Sequence, residues 1–281
     1  MRRAPSFSEL AMAIALSLLT ASTLACDRFV NFRSVKFKLQ YCKDYYEGVR
    51  LESLTKQIAD ANHFPDKVGP ARWAVLFSHQ PRSSWRPSEP RYYWPAGSEI
   101  YITPLIDKTV DDFAAAYPWL TRSLRSLETI LHEKPSQEQF HSEFRLWMRD
   151  PRRELPDEPF NNAGEGLLAH FRLLECSWGR GIRLLTYYAN GKTGYGATNA
   201  ELLYNFQGLT NDRHYYVSAR LAVRHSALPD SIDDPKAAQE DSKEAVEAEQ
   251  RRVNQFSEDT FFPSLSSLDR MIGSLQIRRD Q

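Results

Sequence analysis

The residue types able to do acid–base or metal chemistry gather most closely in His132, Glu133, His141 and Glu143. The two imidazoles stand nine positions apart, so they do not share a helix face as the i, i+4 histidines of an HExxH site do, and that motif is absent from the sequence. No G-x-S-x-G elbow marks a nucleophilic serine. Three glycines lie within Asn190–Gly196, but they complete neither the G-x-x-x-x-G-K-S/T pattern of a phosphate loop nor the spacing of a dinucleotide fingerprint. We therefore assign no catalytic residue and no metal ligand, and expect no cofactor.

Two groups of side chains are candidates for ligand contact instead. His214, Tyr216 and Arg220 alternate onto one face of a strand, where they either line a groove or lie under a cover. Trp85, Tyr92, Tyr93 and Trp94 sit in the proline-rich stretch QPRSSWRPSEPRYYWP, and flat rings beside arginines suit a sugar or a peptide. The same rings also serve simply to pack an irregular loop over an open sheet edge.

The N-terminus gives the most specific functional signal. Arg2 and Arg3 precede an uncharged apolar run from Leu10 to Ala25 that ends in small residues before Cys26, as a secretory signal peptide does. The run is shorter than the roughly 20 apolar residues a membrane span needs. We expect residues 1–25 to be a signal peptide and residues 26–281 to form one exported domain. Thr23-Leu24-Ala25-Cys26 is similar to a bacterial lipobox, which makes Cys26 a lipidation candidate, with ordinary cleavage after Ala25 as the alternative. If Cys26 carries lipid, Cys42 and Cys176 are left to pair, and a bond closing so long a loop contributes about 4 kcal/mol. If it does not, Cys26 and Cys42 can pair and Cys176 stays free.

The elements that must position these residues follow from periodicity. Leu202, Tyr204 and Phe206 alternate inward on one strand and Tyr215, Val217, Ala219, Leu221 and Val223 on the next, with Thr210 to Arg213 as the hairpin turn between them. Leu167 to Cys176 and Ile182 to Tyr188 extend this to a four-strand meander, and Ser177 to Arg180 turn one into the other. Further strands are expected at Val35–Tyr41, Arg72–Phe77 and Glu99–Ile106, and weak helix at Leu51–Asn62. From Thr109 the apolar period changes to three and four, which predicts helices kinked or split by Pro118, and a second helix over Gln137–Met148. Residues 107–160 thus form a helical insertion between strands. A solvated helix over Lys236–Arg252 and a final amphipathic helix capped by Ser264 complete an α+β plan: an antiparallel meander flanked by helices.

The segments GIRLLTYYA, LLYNFQGLT, HYYVSARLAV and FFPSLSSLDRMIGSLQI resemble a group of uncharacterised exported bacterial proteins, many of them lipoproteins. The order of an N-terminal strand, a late meander and a closing helix is also similar to the Mog1/PsbP-like α/β/α sandwich, from which residues 107–159 depart. That resemblance implies a binding or accessory protein and transfers no functional residue. Lysine and arginine balance aspartate and glutamate, 36 against 36, which argues against a broad nucleic-acid footprint. The expectation is an exported envelope protein with a non-catalytic binding role, its partner an envelope protein or a small ligand, touching membrane only through its leader or a lipid. The alternatives are an envelope hydrolase assembled from His132, Glu133, His141 and His214, and an assembly factor with an apolar patch at the aromatic loop.

Overall fold

The computed structural model describes residues 27–32, 37–42, 45–54, 72–79, 98–105, 118–140, 164–189, 196–231, 233 and 243–277. The α+β plan is what forms. Twelve strands are described, β1 Asp27–Phe32, β2 Phe37–Cys42, β3 Tyr46–Leu54, β4 Arg72–His79, β5 Ser98–Pro104, β6 Gly164–Glu165, β7 Ala169–Glu175, β8 Gly179–Thr186, β9 Tyr188–Ala189, β10 Leu203–Thr210, β11 Tyr215–Ala222 and β12 Gln276–Ile277. Seven of them build one antiparallel sheet in the order β3-β4-β5-β11-β10-β8-β7. The expected meander is its second half. Its register places Phe206 opposite Ala219 and Arg183, and Leu209 opposite Tyr216 and Arg180.

Alternation gives this sheet two buried faces. Tyr204, Phe206, Val217, Ala219, Leu221 and Leu185 belong to one apolar cluster together with the C-terminal cover. That cover comprises helix α2 (Lys243–Asn254), a short 3-10 turn at Glu258–Thr260 and helix α3 (Leu265–Gly273). Ser264 caps α3 by accepting a hydrogen bond from the Ser267 amide, and Leu265, Leu268, Met271 and Ile272 form its buried stripe. Full burial of each such side chain contributes roughly 1.5–3 kcal/mol. The small sheet β1-β2-β12 shares this side: α3 packs on β2, and the Gln40 amide donates to Ser274 Oγ at 2.9 Å.

The opposite face is covered by helix α1 (Pro118–Glu133), which supplies Leu120, Leu127, Ile130 and Leu131 to a second cluster with Ile182, Leu184, Leu209 and Tyr216. The described part of the helical stretch expected within residues 107–160, residues 118–140, therefore covers one sheet face. Pro118 opens α1 rather than kinking it, because the first turn needs no amide donor there. A further helix begins at residue 137, capped reciprocally: Gln139 N–H donates to Ser136 Oγ and Ser136 N–H to Gln139 Oε1.

One expected helix is corrected. Leu51–Leu54 continues strand β3, because Val49 and Leu51 pack on the core and β3 pairs along the whole of β4, a tertiary constraint stronger than weak helical periodicity. Residues 55–62 lie outside the described residues.

Candidate ligand groove

Two tight turns at one end of the sheet border a concavity. In the β7–β8 hairpin, Cys176 N–H donates to Gly179 O at 2.8 Å and Gly179 N–H returns a bond to Cys176 O at 3.2 Å. Trp178, between them, is buried and donates its indole N–H to Ile272 O, fastening the turn to α3. In the β10–β11 hairpin, Asp212 Oδ1 accepts from Thr210 Oγ1 at 2.6 Å and from the His214 amide at 2.9 Å. Arg213 there adopts a left-handed backbone, φ 58°, at a cost of about 1 kcal/mol.

The turns are tied to each other. Asn211 donates its amide to Trp178 O at 3.0 Å and its side-chain Nδ2 to Ser177 O at 3.2 Å. Their approach requires glycine at 179, where a Cβ would stand 2.2 Å from Leu209 O. Against this pair of hairpins α1 lays Glu128 and Leu131. The open groove measures about 360 Å³ and is lined from the hairpins by Glu175, Cys176, Gly179, Arg180, Leu209, Thr210, Asn211 and Arg213.

Charge is unevenly committed around it. Arg213 Nη1 lies 3.1 Å from Glu128 Oε1, and Lys134, at the end of α1, holds Glu175 Oε1 at 2.7 Å. The Lys134 hydrogen bond keeps the Glu175 carboxyl below the ordinary glutamate range, so it is ionised at neutral pH. Arg180 stands opposite Glu175 and Leu209 in the sheet. It reaches Glu175 only through space, and among the described residues no ion pair or hydrogen bond engages its guanidinium. Burial, and then the charge of Asp269, push the Cys176 thiol up to about 11. The thiol is protonated at neutral pH and is a poor nucleophile. What this groove offers is recognition: a guanidinium, polar turn residues and two buried leucines.

The same strand carries a contrasting arginine. Arg183 is 0% exposed and faces the C-terminal cover, where Nη2 meets Glu258 Oε1 at 2.6 Å and Nε lies 3.8 Å from Asp269 Oδ1. Arg172 Nη1 joins both carboxylates, at 3.1 and 3.7 Å, and Tyr204 OH donates to Asp269 at 2.9 Å. Burial works against ionisation of Glu258, but Arg183 outweighs it and holds that carboxyl low; burial leaves Asp269 raised despite Arg183. His170 and His225 flank this network. His170 Nε2 bonds Val253 O at 2.9 Å; His225 stacks on Phe256 and places Nε2 2.9 Å from Thr260 Oγ1. Burial lowers both imidazole pKa values.

The strand-face candidates do not line one open groove. Tyr216 and Arg220 are 0% and 2% exposed, because β11 lies between β5 and β10 with its alternate face covered. There Tyr216 OH bonds Gln207 Oε1, Gln207 Nε2 donates to Asn205 Oδ1 at 2.6 Å, and Asn205 Nδ2 donates to Tyr188 OH at 2.6 Å. The Arg220 guanidinium lies 4.8 Å from the Tyr188 ring centre. His214 sits apart, half-buried, 3.3 Å from Asp212 Oδ1.

His132 and Glu133 are exposed at the end of α1. His141, Glu143, Trp85, Tyr92, Tyr93, Trp94 and Cys26 lie outside the described residues, as does the Cys42 side chain; Cys176 is a free thiol. Among the described residues no three His, Cys, Asp or Glu side chains gather to hold a metal, and no helix is long and apolar enough to cross a membrane. Sequence reasoning did not single out Arg180, Glu128, Glu175 or Arg213. The available signal was that two of the turns it identified, at 177–180 and 210–213, both carry arginine. No protein-family model matches the chain, and no curated protein and no solved structure matches it either.

Proposed function

We propose that this chain is an exported protein of the bacterial cell envelope whose role is to bind a small ligand in the groove between α1 and the two hairpins. The observation that carries the binding role is Arg180, a half-buried guanidinium in a preformed concavity whose other charged lining groups are already paired. Rigid hairpins cross-linked by Asn211 hold the groove in shape without a ligand, which lowers the ordering cost of binding. Export rests on the leader, from Arg2 and Arg3 through the apolar run to Ala25.

Two measurements test this. Fractionation of a bacterial host expressing the whole chain, with intact-mass analysis, is expected to find an envelope protein beginning at Cys26; a cytoplasmic chain retaining Met1 contradicts export. A panel of small carboxylates, amines, sugars and phosphates at millimolar concentration is then scored by melting temperature. At least one class is expected to raise it. A panel in which no class does so contradicts the binding role.

A further inference from the structure

We infer that the ligand of this groove is a small aliphatic monocarboxylate, read by the guanidinium of Arg180; the inference rests on the groove being the binding site. Charge selects the ligand's sign. Of the four charged groups lining the groove, Glu128 is engaged by Arg213 and Glu175 is engaged by Lys134 from outside it, which among the described residues leaves Arg180 as the cation with an open fork. A planar guanidinium matches a carboxylate with two parallel N–H···O bonds, a geometry an ammonium does not provide. A cationic ligand meets Arg180 and Arg213 and has no uncommitted carboxylate to join.

Charge also limits the ligand to one negative group. Glu128 comes from α1 and Glu175 from β7, so a dianion such as phosphate that gains Arg180 also meets two carboxylates of the same lining. Size and polarity supply the rest. A volume of about 360 Å³ is at the lower end of the range of ligand pockets, roughly 300–1,000 Å³. Leu131 from α1 and Leu209 from β10 are the apolar lining, placed beside Arg180 by the Leu209–Arg180 register, and they suit a short hydrocarbon body behind the carboxylate.

The test follows the backbone amide shifts of residues 128–134, 175–180 and 209–213 in the isotope-labelled mature chain, titrated at constant ionic strength with butyrate, n-butanol, n-butylammonium or inorganic phosphate. Butyrate is expected to shift these amides saturably, with the other three giving at most about a fifth of that response. In Arg180→Gln the half-saturating butyrate concentration is expected to rise at least tenfold, and Arg180→Lys to fall between, while both variants keep the wild-type melting temperature. An equal response to butanol, or a stronger one to butylammonium or phosphate, overturns the carboxylate assignment and leaves the groove as a binding site. An undiminished butyrate response in Arg180→Gln overturns the role of Arg180. Absence of a response to every probe overturns both this inference and the binding role beneath it.

Discussion

Arg180 and Arg183 lie three residues apart on one strand and point to opposite faces of the sheet, and their surroundings show how one sequence separates architecture from recognition. Arg183 is sealed: two cations, Arg183 and Arg172, meet two anions, Glu258 and Asp269, and the C-terminal cover that brings the anions also excludes water. Arg180 is half-exposed beside carboxylates that other side chains already hold. Burying a charge is tolerable only with compensating partners, so a sealed guanidinium is a structural commitment, whereas an uncommitted one in a preformed groove is free to meet a ligand.

The largest expected effect comes from breaking the sealed half. Arg183→Met leaves Glu258 and Asp269 facing each other with only the half-exposed Arg172 between them, and urea denaturation should show a loss of about 3–5 kcal/mol. Arg180→Met should change stability by no more than about 0.5 kcal/mol. Similar losses from the two substitutions would erase the distinction.

Gly179→Ala comes next, because its Cβ must displace backbone at Leu209. A loss of about 1–3 kcal/mol is expected, together with loss of the melting-temperature response to butyrate as the two turns separate. Stability unchanged by this substitution would mean that the hairpins are not held at the distance the groove requires.

The sealed half also carries a pH signature. Burial keeps His170 and His225 neutral in the folded protein below their ordinary value of 6.5, so as pH falls the unfolded chain binds protons first. Stability is expected to fall from below about pH 6.5 down to the lowered folded values, and His225→Gln should flatten part of that slope. A flat profile between pH 7 and 5 would contradict the buried neutral imidazoles. The smallest effect belongs to the open half: Lys134→Ala releases Glu175 next to Arg180, and because an exposed pair contributes little, a roughly two- to fivefold weaker response to butyrate is expected.

Much of the scaffold was legible in residue order. Period-two alternation in Tyr204–Phe206 and Val217–Val223, the Asn-Asp turn before Arg213 and the Ser264 cap are local signals, and each corresponds to an observed element. Leu51–Leu54 was misread because its conformation is decided by pairing with β4, distant information that a local window lacks. The groove was less legible for the same reason. Its two turns were visible, but their mutual hydrogen bonds, the arrival of Glu128 from α1 and the different commitments of Arg180 and Arg183 arise only when strands far apart in sequence are neighbours. Tyr216 and Arg220 show the converse: polar residues alternating on a strand look like an exposed or ligand-lined face until a layer covers them.

The most direct test of the open and sealed halves is a backbone amide spectrum of the isotope-labelled mature chain titrated with butyrate. The account predicts shifts concentrated at residues 128–134, 175–180 and 209–213, lost in Arg180→Gln, with the amides around Arg183, Glu258 and Asp269 unmoved. Shifts centred on the Arg183 network, or on Arg220 and Asn205, or no shift at millimolar butyrate, would contradict it.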